Sequence, residues 1–260
     1  MKPFIHVVAG IVYNQRGEIL LSSRPKGKPY AGYWEFAGGK VEPNESELDA
    51  LKREFQEELN ICILHATPYL AKLYAYEHAT VQLRFYRVLA NDWQGEIKAL
   101  ENQSFIWQNP QQPNVSPMLP ANAHLLEVLR VPHYFSGSLN TGLYDAANTY
   151  PIYPYPADET KHNIAIDFYQ LQKLNRLPQN AHVWVIVDNA QAFQAAQDTF
   201  GIIWRVQHIS SAQQVLHVLQ DGASLPIMIV ATANLLAQFT QKWQNNGAHA
   251  IIEETMFQAA

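Results

Sequence analysis

"WEFAGGKVEPNESELDALKREFQEELNI", residues 34–61, holds eight acidic residues in a 260-residue chain of which only 16% is charged. Gly38 and Gly39 lie near its start, and a glycine pair allows a tight turn and close approach of backbone to a ligand. A helix then begins. Asn44 or Ser46 can cap it, with Glu47 or Asp49 three residues later completing a capping box. Leu48, Leu51, Phe55 and Leu59 recur at helical spacing and form a face for anchoring to a core. Glu54, Glu57 and Glu58 sit at i, i+3 and i+4, which covers an arc of roughly 100° on another side. Like charges at that spacing repel by a few tenths of a kcal/mol per pair. A solvated acidic face is the ordinary reading of three such glutamates. A hard divalent cation, which takes oxygen ligands, is the reading that gives the repulsion a purpose.

The bulk composition sets bounds around this segment. A length of 260 residues suits two domains, and 48% hydrophobic residues can build a core. Lys and Arg total 18 against 23 Asp and Glu, for a net charge of −5. That argues against a nucleic-acid polymer as partner, since such a footprint needs clustered cations, but leaves small anionic metabolites open. The single cysteine, Cys62, excludes an internal disulfide, fits a reducing cytoplasm, and reads as a core residue. The N-terminal run is broken by Gly10 and reads as a strand rather than a signal peptide. No stretch approaches the ~20 apolar residues of a membrane span.

Residues 4–13 and 18–23 are β-rich runs joined by "NQRGE", which predicts a hairpin. "SSRPKGKPYAGY" reads as a loop. "YLAKLYAYE", "ATVQLRFYRVLA" and "QSFIWQ" read as strands, and 120–130 as a closing helix after a proline start. Residues 131–160, rich in Pro, Gly, Ser and Tyr, read as a linker between domains at 1–130 and 161–260. Beyond it, 164–174, 190–199, 210–220 and 233–245 look helical, and 183–188, 202–206, 227–231 and 250–253 strand-like. Alternation of that kind predicts a mainly parallel sheet with crossover helices.

From Gly39 there are five residues, then Glu45, seven residues, Arg53-Glu54, Phe55, Gln56, Glu57-Glu58, Leu59, Asn60 and Ile61. This resembles the Nudix hydrolase signature, G-x5-E-x7-R-E-U-x-E-E-x-G-U with U apolar, at every position but one. Asn60 replaces the last glycine, a site suited to the left-handed conformation that Asn tolerates next best. The resemblance implies an α/β fold whose N-terminal domain is an α/β/α sandwich on a mixed sheet. It implies Mg²⁺, with Mn²⁺ able to replace it, held by Glu54, Glu57, Glu58 and the Gly38 carbonyl against the phosphates of a nucleotide. Arg53 would orient a carboxylate, or pair with Glu57; Glu45 would hold the helix terminus or a salt bridge; Lys40 would reach a phosphate or lie exposed.

"RPKGKPYAGYWEFAGGKVE" resembles the MutT branch, with Ala37 where that branch has proline. "GEIKALENQSFIW" resembles its stretch with an extra glutamate, which makes Glu101 a candidate ligand or general base. "LPAN" at 119–122 resembles its P-A-N turn. By that resemblance Asn122 reads an oxidised purine edge, where a side-chain amide offers both donor and acceptor. Arg24 lies near the base or sugar, and Phe36 packs on the ring. The implied activity is 8-oxo-dGTP diphosphatase, which keeps mutagenic nucleotides out of DNA; the rival readings are a Nudix hydrolase acting on another nucleoside diphosphate derivative and a catalytically inactive nucleotide sensor. The second half is similar in pattern to part of a thiamine-phosphate-synthase-like barrel. It has room for about half the strands and lacks the substrate motif, so a degenerate, non-catalytic domain is expected, one able to pair with a second copy at its exposed edges.

Overall fold

The structure, a computed structural model, describes residues 3–254 apart from 78, 159, 175 and 178–181. The chain divides into two units, Met1–Arg130 and Val131–Ala260. Among the described residues no helix is long and apolar enough to cross a membrane.

The first unit runs β1 (Phe4–Val12), β2 (Ile19–Ser23), β3 (Trp34–Glu35), β4 (Gly38–Lys40), α1 (Glu47–Leu59), β5 (Cys62–Ile63), β6 (Thr67–Ala75), β7 (Thr80–Val88), β8 (Trp93–Gln94), β9 (Phe105–Gln108) and α2 (Pro120–Val128). Its main sheet has the order β4-β1-β7-β6. β1 pairs parallel with β7 and antiparallel with β4, so the sheet is mixed. A second sheet has the order β3-β2-β9. The turn after β1 closes, with the Asn14 N–H donating to the Glu18 carbonyl at 3.0 Å and a bridge between Tyr13 and Ile19. The two strands nevertheless part into different sheets rather than forming one hairpin ladder, because β1 takes β4 and β7 as its neighbours.

Two glycines seat α1 on this scaffold. A Cβ at Gly10 would fall 2.7 Å from the Phe55 ring, so β1 is cut away where the helix's aromatic lands. A Cβ at Gly39 would fall 2.1 Å from the Glu54 carboxyl carbon, so β4 is cut away beside the helix's acidic face. Leu51, Phe55 and Leu59 are buried against Val8, Val12 and Tyr86, as the helical spacing predicts. Of the two candidate caps it is Ser46 that acts, its Oγ accepting the Asp49 N–H at 3.1 Å. Asn60 ends the helix at φ 58, in the left-handed region. Cys62 is exposed, contrary to its reading as core. In a strand alternate side chains face opposite ways, and Ile61 and Ile63 take the buried positions.

The second unit runs β10 (Ser136–Ser138), β11 (Gly142–Tyr144), β12 (Tyr153–Pro154), β13 (Asn163–Asp167), α3 (Phe168–Leu171), β14 (His182–Val187), α4 (Ala190–Ala195), β15 (Gly201–Val206), α5 (Ile209–Asp221), β16 (Ile227–Ala231), α6 (Ala233–Asn245) and β17 (Ala250–Glu253). Strands β12 to β17 form one sheet in strict sequence order, every pair parallel. An unreversed order is that of a barrel segment rather than of a doubly wound sheet.

Two sequence readings are corrected here. Residues 164–174 are not one helix: 163–167 form a strand and only 168–171 a helical turn, capped by Asp167, whose carboxylate accepts the Tyr169 N–H. Ile164, Ala165 and Ile166 are all buried, and a short continuous apolar run carries no period that separates strand from helix. Residues 131–160 are not a linker. One face of the sheet packs on α4, α5 and α6 through Phe193, Val215, Phe239 and Trp243. The other face, with Trp184, Ile203 and Val230, is covered by Val131, Leu143 and Ile152. The Tyr150 hydroxyl contacts His182 Nδ1 at 2.6 Å, and His133 Nδ1 contacts the His249 carbonyl at 2.8 Å, which fixes the covering segment in place.

Candidate active site

A cleft of about 610 Å³ in the first unit gathers most of the residues singled out in the sequence. Its floor is the face of the main sheet carrying Ile5, Val7, Ala9, Val81 and Leu83. Along its wall lie Arg24, Phe36, Gly38, Gly39, Lys40, Glu54, Glu58, Glu101 and Asn122. Glu57 is not on that wall. Its side chain is 59% exposed and pairs with Arg53 at 3.2 Å.

The glycine turn is a geometric requirement. Gly38 has φ +150, and a Cβ there would sit 2.1 Å from the Val8 carbonyl oxygen of the neighbouring strand. Gly38→Ala is therefore expected to destabilise the first unit by about 3 kcal/mol, since neither backbone can yield without breaking the β1–β4 ladder. Urea unfolding of the variant measures this, and a loss under about 1 kcal/mol would show that the strand edge adapts.

Arg53 is the hub beneath the carboxylates. It donates to both Glu45 oxygens at 2.8 and 3.0 Å, to Glu54 at 2.9 Å, to Glu57 at 3.2 Å and to the Lys40 carbonyl at 3.0 Å. Glu45 and Glu54 hold its guanidinium above its ordinary pKa, and the Arg53 hydrogen bond in turn holds Glu45 below the usual carboxylate range. Arg53 thus contacts Glu54 and its i,i+4 neighbour Glu57 at once. Glu45 also accepts the Glu42 N–H at 3.0 Å, which ties the loop to the helix start.

Two other cleft carboxylates, Glu35 and Glu101, also carry a cation. Arg24 pairs with Glu35 at 2.6 Å and donates to the Pro29 carbonyl. Burial raises the Glu35 pKa against the opposing pull of Arg24. Lys28 pairs with Glu101 at 2.9 Å. Among the described residues, Glu58 alone of Glu35, Glu54, Glu58 and Glu101 has no cation on its carboxylate. Desolvation first, then the like charges of Glu101 and Glu54, push its pKa up to about 7. Among the described residues no three His, Cys, Asp or Glu side chains converge closely enough to hold a metal ion. Arg53 pairs with Glu54, and Lys28 with Glu101. The donor chemistry fits a divalent cation all the same: several oxygen donors face one cleft around a half-buried carboxylate that resists ionising alone.

At α2, Asn122 is 2% exposed, and its Oδ1 accepts the Phe36 N–H at 3.0 Å. It is not the helix cap, a position held by Leu119 without a side-chain bond. Phe36 is buried edge-on against Phe85, with ring centroids 6.0 Å apart. Lys40 is exposed at the rim.

Sequence reasoning missed Lys28, Glu35, Tyr30 and Tyr76, all of which line the cleft. Tyr30 and Tyr76 pack with centroids 5.7 Å apart, and burial pushes the Tyr76 hydroxyl up to about 12. The two lysines among the prolines and glycines of "RPKGKPY" were the one available signal, since cations gathered in a loop before an acidic helix have a counter-charge within reach.

The chain matches the NUDIX domain family over residues 3–129. An 8-oxo-dGTP diphosphatase of Haemophilus influenzae is 38% identical over 128 residues, covering 49% of this chain and 93% of that protein. A CTP pyrophosphohydrolase of Escherichia coli is 41% identical over 126 residues, covering 47% and 89%. An 8-oxo-dGTP diphosphatase of Escherichia coli is 29% identical over 126 residues, covering 48% and 96%. With the Gly39-to-Ile61 signature folded as strand, loop and capped helix, and with relatives matched over nearly their whole length, the chain belongs to the Nudix hydrolase family.

Proposed function

We propose that the first unit hydrolyses oxidised purine nucleoside triphosphates, 8-oxo-dGTP to 8-oxo-dGMP and pyrophosphate, and so keeps such nucleotides from being built into DNA. The observation that carries the reading is one cleft lined both by Asn122 and Phe36 and by the carboxylates Glu54, Glu58 and Glu101. Asn122, fixed by the Phe36 N–H, offers amide hydrogen bonding to a base edge, and Arg24 lies near base or sugar. Glu54, Glu58, Glu101 and the Gly38 carbonyl would hold Mg²⁺, with Mn²⁺ able to replace it. When bound, the ion supplies charge neutralisation at the phosphates and a lowered pKa for an attacking water. Arg53 keeps Glu54 turned to the cleft, and Lys40 at the rim is placed for an outer phosphate.

A second reading within the same chemistry is a pyrimidine substrate, favoured by the 41% identity to a CTP pyrophosphohydrolase. Steady-state kcat/KM for 8-oxo-dGTP, dGTP and CTP with Mg²⁺ separates the two, with pyrophosphate and inorganic phosphate detected separately. The expected result is a preference for 8-oxo-dGTP over dGTP of about 10²-fold or more, with pyrophosphate released. A higher value for CTP, or equal values for the two purines, would overturn the oxidised-purine assignment.

Every residue named for catalysis lies in the first unit. The second unit is best read as a degenerate, non-catalytic relative of thiamine phosphate synthase. Support comes from its sequential parallel sheet, which has six strands where a closed barrel needs eight.

A further inference from the structure

Three of the cleft's carboxylates carry a cation, and the three cations are held very differently. Arg53 is bound by five donor contacts to four residues. Arg24 is bound by Glu35 and by the Pro29 carbonyl. The Lys28 ammonium has one partner among the described residues, Glu101, at 2.9 Å. Both side chains of that pair are roughly half exposed, 48% and 44%. Lys28 stands on a flexible four-carbon stem in a loop of prolines and glycines, so it is the one cation here that can leave without dismantling its surroundings.

We infer that Lys28 is a positioning residue that serves as the resident counter-ion of Glu101 and competes there with the divalent metal. This inference rests on the metal reading of Glu54, Glu58 and Glu101. A divalent cation at those carboxylates must take Glu101 from Lys28. The released ammonium remains on the loop over the cleft, where the incoming anionic phosphates of the nucleotide are its next partner. The exchange also explains why the donors stand apart in the structure: Glu101 is already engaged. Neither residue is near the other in sequence, being 73 positions apart.

The test is Mn²⁺ binding to the full chain without nucleotide, read from the electron paramagnetic resonance signal of free Mn²⁺. Lys28→Met keeps the stem's bulk and removes the charge. It is expected to tighten Mn²⁺ about threefold, the scale of a half-exposed ion pair, and to raise the nucleotide KM about tenfold. Lys28→Arg, which keeps the charge, should restore both values to near those of the wild type. Lys26→Met removes the same charge from the same loop, in a side recess outside the cleft that it lines together with Lys28 and Glu101, and should leave Mn²⁺ binding unchanged. A loop tether alone would weaken nucleotide binding without tightening the metal. Unchanged or weaker Mn²⁺ binding in Lys28→Met, or equal tightening in Lys26→Met, overturns the inference. Glu58→Gln separates the two levels. If that variant binds Mn²⁺ as the wild type does, the metal reading itself has failed; if it loses Mn²⁺ while Lys28→Met fails to tighten it, only the role of Lys28 has.

Discussion

Glu58→Gln is expected to lower kcat/KM for nucleotide hydrolysis by about 10³-fold or more, and at the same time to make the metal-free protein more stable above neutral pH. The first effect follows from the proposed metal site, where the substitution removes an anionic oxygen ligand in a side chain of unchanged shape. A metal's stabilisation of phosphate charge is worth several kcal/mol, and each 1.36 kcal/mol is tenfold in rate. The second follows from the folded-state pKa near 7, against an ordinary 4.5. Below pH 4.5 Glu58 is protonated in both folded and unfolded chains and contributes no difference. Between 4.5 and 7 the unfolded chain has released the proton while the folded one keeps it, so stability falls as pH rises through that window. Above 7 the half-buried carboxylate is ionised beside Glu54 and Glu101, and the full cost of about 3 kcal/mol is present. Glutamine never carries that charge. Urea unfolding in EDTA should therefore show the variant ahead at pH 8 and level with the wild type near pH 4. Adding Mg²⁺ should reverse the order at pH 8, because only the wild type gains from binding the ion. Equal stability of the two at pH 8 in EDTA would remove the burial argument. Full retention of turnover would remove Glu58 from the metal site.

Why these carboxylates could be read from sequence, and Lys28 could not, is a matter of where the controlling contacts lie. The glutamates share one helix. Their spacing, the Ser46 cap and the left-handed Asn60 are local, so about fifteen residues contain the information. Gly38 and Gly39 are legible for a related reason: a glycine pair entering a capped helix marks a backbone that a side chain would obstruct, and the structure supplies the obstructions, Val8 and Glu54. The Lys28–Glu101 pair has no local signature, since a lysine in a polar loop looks the same with or without a partner. The same limit governs the second unit. β14, β15 and β16 are apolar runs between helices and announce themselves. Residues 131–160 have no period, because Val131, Leu143 and Ile152 are set by a sheet face that forms from later sequence. Ile164 to Ile166 fail for the opposite reason: burial on both faces erases the alternation that would have identified a strand.

Asn122→Ala is expected to remove most of the preference for 8-oxo-dGTP over dGTP, a loss of about 10- to 100-fold in the ratio of the two kcat/KM values, on the scale of one bidentate amide–purine contact. The variant also removes the acceptor of the Phe36 N–H, which the structure shows in a buried setting at 3.0 Å. An unsatisfied buried donor costs about 1–3 kcal/mol, so some stability will be lost whatever Asn122 does for substrate. The two consequences separate because a fraction of unfolded enzyme lowers turnover of every nucleotide by the same factor, and a ratio of kcat/KM values is blind to it. Only a contact made to one base and not the other moves the ratio. Under the pyrimidine reading the ratio of the two purines would stay where it was and the CTP value would fall. Under the oxidised-purine reading dGTP hydrolysis should hold within a few-fold, since the carboxylates, Arg53 and the glycine turn are untouched. An unchanged 8-oxo-dGTP to dGTP ratio in a folded Asn122→Ala protein would leave Asn122 as the clasp of Phe36 and nothing more.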